Sequence, residues 1–220
     1  MANAARLEAR VIEVYTSVQG ESTWVGLPCV FVRFAGCNLR CTWCDSVFTF
    51  TGGTRRPIES VVDEVVATGI PLVEVTGGEP LVHKAANPLM QALVDRGLTV
   101  LLETSGSRDI AAVPDAVHII LDLKPPDSGE VAANLWSNLP LLRKKDEVKF
   151  VIASRRDYEW SRDVLREHRL DEKVGAVLFS PAWALVDPRE LVAWILADRL
   201  PVRFQVQMHK YVWPPHERGV

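Results

Sequence analysis

From Gly69 onward the chain repeats one unit, a short apolar run followed by a loop and then a helix-like stretch. The runs Leu72–Thr76, Thr99–Glu103, Val117–Leu121, Glu147–Ile152, Gly175–Phe179 and Val202–Val206 are β-branched or Leu-rich, as buried parallel strands are. Helices are predicted between them at Pro57–Thr68, Pro88–Arg96, Val131–Leu142, Asp157–His168 and Pro188–Asp198. Pro57, Pro88 and Pro188 suit first-turn positions, where a missing N–H costs nothing. Alternation of this kind specifies a parallel sheet with helices outside it. Ahead of the repeat, Ala9–Val18 and Cys29–Ala35 read as a strand pair joined by the turn-rich segment Gly20–Pro28. Gly36–Gly53 reads as a loop without apolar periodicity. The expected fold class is α/β, a partial (open) TIM-like barrel of about six parallel strands with outer helices, preceded by the N-terminal strand pair and the long loop. No linker or internal repeat interrupts it, so residues 1–220 are expected to form a single domain. In such sheets ligands collect at the carboxyl ends of the strands.

Composition narrows the class. The 220 residues are 48% hydrophobic and 24% charged, with a formal net charge of −3. That supports one globular core. No apolar run is long enough to span a membrane. Met1–Arg10 lacks the apolar centre of a signal peptide. A slightly acidic balance gives no footing for nucleic acid. The expectation is a soluble cytoplasmic protein with neither nucleic acid nor membrane as partner.

Three of the four cysteines, Cys37, Cys41 and Cys44, fall within eight residues in a C-x3-C-x2-C spacing inside the long loop. Bunched thiols in a chain of this kind point to metal rather than disulfides. A cubane iron–sulfur cluster normally takes four thiolates. Three leave one iron open to a small molecule. The zinc alternative needs a fourth ligand, Cys29 or a histidine, because structural zinc sites are closed.

The strand Leu72–Thr76 runs into Gly77-Gly78-Glu79-Pro80. Glycines there let backbone groups approach a ligand, and a carboxylate beside them can pair with an ammonium. An ordinary strand-to-helix turn is the plainer alternative. At the next strand ends stand Ser105, Asp122-Leu123-Lys124 and Ser180, polar groups whose shared position is their significance. Lys149, inside a strand, reads equally as a ligand or as a lysine snorkelling out of the sheet.

The cysteine spacing, with Trp43 before the last thiol, and the Gly-Gly-Glu-Pro turn together resemble the radical S-adenosylmethionine superfamily. The resemblance implies a [4Fe–4S] cluster on Cys37, Cys41 and Cys44. It also implies S-adenosylmethionine held by Trp43, Gly77, Gly78, Glu79, Ser105, Asp122, Leu123, Lys124 and Ser180. Further stretches are similar to the 7-carboxy-7-deazaguanine synthase family: Tyr15–Glu21, Gly26–Pro28, Val30–Leu39, Cys44-Asp45-Ser46 and Gln207-Met208-His209-Lys210-Tyr211. That family converts 6-carboxy-5,6,7,8-tetrahydropterin to 7-carboxy-7-deazaguanine with loss of ammonia. The resemblance implies that the 5′-deoxyadenosyl radical, not a side chain, abstracts hydrogen. Ser46 stands where the family places a hydroxyl on Mg2+. Val18, Gln19, Gly20, Glu21, Arg33, Thr76 and His209 would bind the pterin, Arg33 through bidentate pairing with its carboxylate. The family further implies a homodimer and an electron donor such as flavodoxin or ferredoxin.

Two departures stand out. Ser22 replaces a glycine often found after Glu21, and Asp122 stands where many members carry serine. Asp122–Lys124 also fits glycyl-radical activating enzymes, a second enzymatic reading; a zinc-binding interaction module is a third, non-enzymatic one. Trp136, Trp160, Trp183 and Trp194 are expected to pack, Arg143–Lys145 to form a solvated helix end, and Cys29 to be a buried free thiol.

Overall fold

A computed structural model describes residues 7–220; the expectation for Met1–Arg10 lies largely outside them. Nine strands form one sheet in the order β3-β1-β2-β4-β5-β6-β7-β8-β9. They are β1 (Glu8–Val18), β2 (Pro28–Phe34), β3 (Thr54–Pro57), β4 (Leu72–Gly77), β5 (Thr99–Thr104), β6 (His118–Leu123), β7 (Glu147–Ile152), β8 (Ala176–Pro181) and β9 (Arg203–Phe204). β1 pairs antiparallel with β2 and β3, and from β2 through β9 every neighbour is parallel. The sheet is open, since β3 and β9 are its edges. β2, expected only as half of a strand pair, is thus the first parallel strand of the barrel, and the cysteine loop leaves from its carboxyl end.

The helices are α1 (Ile58–Ala67), α2 (Ala86–Asp95), α3 (Arg155–His168), α4 (Leu170–Lys173), α5 (Pro188–Asp198) and α6 (His209–Val212). In α1, Ile58, Val61, Val62 and Val65 recur at helical spacing and are all buried. Ser154 and Asp187 cap α3 and α5 by accepting from Asp157 N and Arg189 N. Pro188 takes the first turn of α5 as expected, whereas Pro57 precedes α1 and closes β3.

The stretch predicted as a helix over Val131–Leu142 is two 3-10 segments, Val131–Ala133 and Trp136–Leu141, with Pro140 inside the second. Two asparagines replace helical bonding there. Asn134 bonds both N and O of Lys124, and Asn138 donates to the carbonyls of Gly106 and Arg108. Arg143–Lys145 is consequently no helix end. Arg143 pairs with Asp115, and Lys144 and Lys145 donate to the carbonyls of Val174 and Val117. β9 is also shorter than the predicted Val202–Val206, because Gln205 onward turns back toward the barrel mouth.

Alternation divides the strands' side chains between two environments. Val73, Val75, Val100, Leu102, Val148, Phe150 and Phe179 face the helices in the main core. On the other face, Cys29, Phe31, Leu72, Leu101 and Ile120 form a separate apolar cluster, with Tyr15 and Trp24 against it. One step further along the same strands the inward residues become Arg33, Glu74, Glu103 and Asp122, joined by Lys149 of β7. An apolar plug therefore lies beneath a charged layer. Cys29 is the buried free thiol expected of it.

Candidate active site at the barrel mouth

The cysteine loop is fastened to the strand ends around it. Thr42 donates from N to Ser128 O at 3.0 Å and from Oγ1 to Asp127 O at 2.8 Å. Asn38 donates to Ser107 Oγ at 3.0 Å. Cys37, Cys41 and Cys44 are free and half-buried. Burial lifts all three thiols, Cys41 to about 11, so the thiolate form waits on a metal to displace the proton. Among the described residues no three His, Cys, Asp or Glu side chains gather tightly enough for a single metal ion. A closed zinc site takes four ligands on one ion, whereas a cubane takes each thiolate on a different iron and with three thiolates keeps one iron open. The donor set suits the cluster.

The Gly-Gly-Glu-Pro turn also has a structural job that its letters did not suggest. A Cβ on Gly77 would collide with the backbone of Phe34, and one on Gly78 with Gly36 O and, at 2.7 Å, with Cys37 Cβ. The glycines thus let β4 end flush against the start of the cysteine loop. Glu79 is fully buried, and its carboxylate accepts from Leu81 N, Thr104 Oγ1, Ser105 N at 2.7 Å and Ser105 Oγ at 2.6 Å. It clamps the end of β4 to the end of β5, and with it Ser105 is engaged.

Of the other residues expected at S-adenosylmethionine, Lys124 pairs with Asp122 Oδ2 at 2.9 Å. Trp43 is half-buried in the cysteine loop. Leu123 points the opposite way, into the helix-side core, so only its backbone faces the mouth. Asp122 Oδ1 and Ser180 Oγ are buried without a hydrogen-bond partner among the described residues. Buried polar atoms are nearly always satisfied, so two orphans, one on β6 and one on β8 with β7 between them, fit a bound polar ligand.

On the pterin side, the segment after β1 crosses the barrel's inner face. Gln19 donates to Glu74, Thr23 N to Glu147 Oε2 at 3.1 Å, and Trp24 meets His118 edge-on. Gly20 is required where it stands, because a Cβ there would strike His209. Ser22 adopts φ 62°, the left-handed region that favours glycine. The segment after β9 returns to meet this one. Met208 N donates to Gly20 O at 2.9 Å, Gln207 to Glu21 at 3.0 Å and to Asp45 at 3.2 Å, and Lys210 to Asp45 at 2.8 Å. Glu21, Gly20 and His209 are therefore brought together. Val18 stays at the end of the β1–β2 hairpin, paired with Pro28. Thr76 is buried on the inner face beside Arg33.

Arg33 is an interior-strand residue. Its Nε donates to Glu13 at 2.8 Å and its Nη2 to Tyr15 at 2.7 Å, with Phe48 on its face. Burial works against its charge, but Tyr15 and Glu13 outweigh that and hold its pKa up. Ser46 Oγ lies 3.1 Å from Asp45 Oδ1, at the same mouth. Burial disfavours the charge on Asp45, yet Lys210 overrides it and holds the carboxyl well below its usual range.

Lys149 settles the ambiguity of its strand position, since its ammonium is buried among Glu21, Glu103 and Asp122 rather than led to solvent. Sequence reasoning gave no role to Glu74, Glu103, Asp45 or Lys210. The signal was present for the first two, carboxylates interrupting otherwise apolar parallel strands.

Comparisons with known proteins agree with this geometry. The Radical SAM superfamily model matches residues 31–169. The 7-carboxy-7-deazaguanine synthase of Koribacter versatilis is 46% identical over 226 residues, covering 96% of this chain and 100% of the relative. That of Chlorobaculum tepidum is 42% identical over 213 residues, covering 96% of each. The crystal structure of QueE from Escherichia coli superposes with a TM-score of 0.74 at 22% identity, over 92% of this chain and 95% of that one, a likeness of fold. On the match spanning its cysteine loop and strand ends, and on relatives similar over nearly its whole length, the chain belongs to the radical SAM superfamily and, within it, to the 7-carboxy-7-deazaguanine synthase family.

Proposed function

We propose that the protein is a radical S-adenosylmethionine lyase that converts 6-carboxy-5,6,7,8-tetrahydropterin to 7-carboxy-7-deazaguanine with loss of ammonia, in 7-deazapurine biosynthesis. The supporting observation is convergence. The stretches that distinguish the family, Gln19–Glu21 and Gln207–Lys210, bond to each other and to Asp45 of the cysteine loop at one barrel mouth.

The cofactors are a [4Fe–4S] cluster, S-adenosylmethionine and Mg2+; when bound, the first two supply the radical that starts the reaction. Cys37, Cys41 and Cys44 hold the cluster. The backbone of Gly77 and Gly78, with Asp122, Lys124 and Ser180, orients S-adenosylmethionine. The Lys124 ammonium suits its carboxylate; burial opposes the charge, but Asp122 outweighs this and keeps Lys124 protonated.

Arg33 takes the pterin carboxylate through the part of its guanidinium not committed to Glu13 and Tyr15. Glu21 reads the donor-rich amino-pyrimidine edge. Burial resists its ionisation, and Lys149 prevails, keeping it an acceptor. His209 is itself pushed toward the neutral form by burial. Ser46 offers Mg2+ an oxygen, leaving further positions to substrate and water. A flavodoxin- or ferredoxin-like electron donor, a homodimer, a single-domain chain and a cytoplasmic setting belong to the same proposal. Among the described residues no helix is long and apolar enough to cross a membrane.

An anaerobic assay of reduced protein with S-adenosylmethionine, Mg2+ and the carboxytetrahydropterin tests the reading. Deazaguanine product is expected, and its absence from protein with a loaded cluster rejects it. Ser46→Ala should retain the fold and cluster but lose most of the rate increase that Mg2+ gives; an undiminished Mg2+ response removes Ser46 from the cation site.

A further inference from the structure

The centre of the charged layer is held by a strand lysine whose ammonium meets three carboxylates. Lys149, midway along β7, donates to Glu21 Oε2 at 2.8 Å and to Glu103, and stands 3.6 Å from Asp122 Oδ2. Its side chain is only 4% exposed. The three carboxylates come from the segment after β1, from β5 and from β6. Asp122 then pairs with Lys124, and Glu21 with Gln207. A continuous chain of opposite charges thus runs from Glu21, which the Gln207 amide ties to the segment after β9, through Lys149 to the strand end proposed for S-adenosylmethionine.

Such an arrangement is a poor way to stabilise a fold. Desolvating an ammonium and several carboxylates offsets much of their attraction, and apolar residues of similar volume often do as well. A strand lysine with no task beyond solubility extends its ammonium to water. What the arrangement does supply is fixed spacing, because charge-assisted bonds are short and directional.

We propose that Lys149 is a positioning residue for the reaction. It fixes the pterin-side carboxylate Glu21 relative to the cofactor-side pair Asp122–Lys124, so that the two ligands are held in register. The inference rests on the lyase reading above.

The groups that face Lys149 define what its loss would do. They are Glu21 and His209 at the mouth, Glu74 on β4, Glu103 on β5, and Asp122 with Lys124 at the end of β6. Burial alone would neutralise the lysine, but Glu103, Glu21 and Asp122 together hold its pKa well above the ordinary value. Without that cation, burial and mutual repulsion push Glu21 toward its protonated form, a worse partner for ring N–H donors.

The test is anaerobic titration calorimetry of the carboxytetrahydropterin into cluster-loaded protein with S-adenosylmethionine bound, across pH, alongside kcat and KM. Lys149→Met should bind the pterin about tenfold more weakly near neutral pH, the loss of one charge-assisted contact. The acid limb of its binding curve should move up by about one pH unit. Lys149→Arg should return the limb to its parental place while leaving kcat reduced, since charge is restored and spacing is not. A merely structural role would lower the denaturation midpoint without moving the limb. Pterin affinity within twofold of the parent and an unmoved limb in folded Lys149→Met overturns the proposal. Parental kcat and KM in Lys149→Arg overturns its geometric half. If Lys149→Met does not fold, Lys149→Met/Glu103→Gln, which removes one charge of each sign, takes its place under the same criteria. Parent protein that binds no pterin at all would instead sink the lyase reading.

Discussion

The two faces of the parallel strands carry the same backbone and very different chemistry. Toward the helices, residues such as Val75, Leu102, Phe150 and Phe179 are wholly buried among apolar neighbours. Each such side chain contributes about 1.5–3 kcal/mol on burial. Toward the barrel axis, Glu74, Asp122 and Lys149 are buried too, but among one another and the half-buried Glu103. The outer face therefore makes the fold and the inner face spends part of that stability on holding charges where a ligand needs them. Changes on the two faces should separate cleanly into losses of stability and losses of function.

The largest effect is expected on the functional side. Cys41→Ala should abolish cluster loading and turnover, read as lost iron and visible absorption. Its urea midpoint, measured without metal, should match the parent's; a matched loss of stability would blur the division. Leu102→Ala, on the outer face, should cost about 2–5 kcal/mol by chemical denaturation. Cluster loading should persist while the protein is folded, and selective loss of loading would break the comparison from the other side.

Glu74→Gln sharpens it through pH. Burial, with Glu103 and Glu21 nearby, raises the Glu74 carboxyl well above its usual 4.5. A raised carboxyl favours folding fully below its unfolded pKa, and that contribution disappears as pH rises through the folded value. The parent should thus lose ground to Glu74→Gln between about pH 5 and 8, by about 1.4 kcal/mol for each tenfold difference in proton affinity between folded and unfolded states. Equal urea midpoints for the two proteins at both pH values would show that Glu74 carries no such burden. The smallest effect is expected from Ser22→Gly. Relief of the left-handed backbone should stabilise by about 0.5–1 kcal/mol, tempered by losing the bond from Trp24 N to Ser22 Oγ. A lower melting temperature would show that this bond outweighs the strain.

How much of this was legible follows from where each signal sits. β5, β7 and α5 could be read closely, because apolar periodicity and Pro188 act locally. The Val131–Leu142 stretch could not, because Asn134 and Asn138 answer to carbonyls at Lys124, Gly106 and Arg108 that sequence spacing does not reveal. The cysteine loop was plain, since ligand spacing is local. Glu79 was legible only in part: the letters show a carboxylate beside glycines, and only the fold shows Thr104 and Ser105 donating to it. Lys149 needed the fold most of all, because its partners lie on three separate elements.

The segment after β9 bears on how the molecule opens. The sheet is knit by ladders between neighbouring strands, whereas the wall formed by Gln205–Lys210 hangs on single bonds to residues far upstream, among them Gly20, Ser22 and Asp45. A segment tied so sparsely detaches at a lower free energy than the strands unravel. Amide hydrogen exchange there should accordingly outpace exchange in β4 through β7, and local detachment would give a bulky guest a way in while the rest of the protein stays folded.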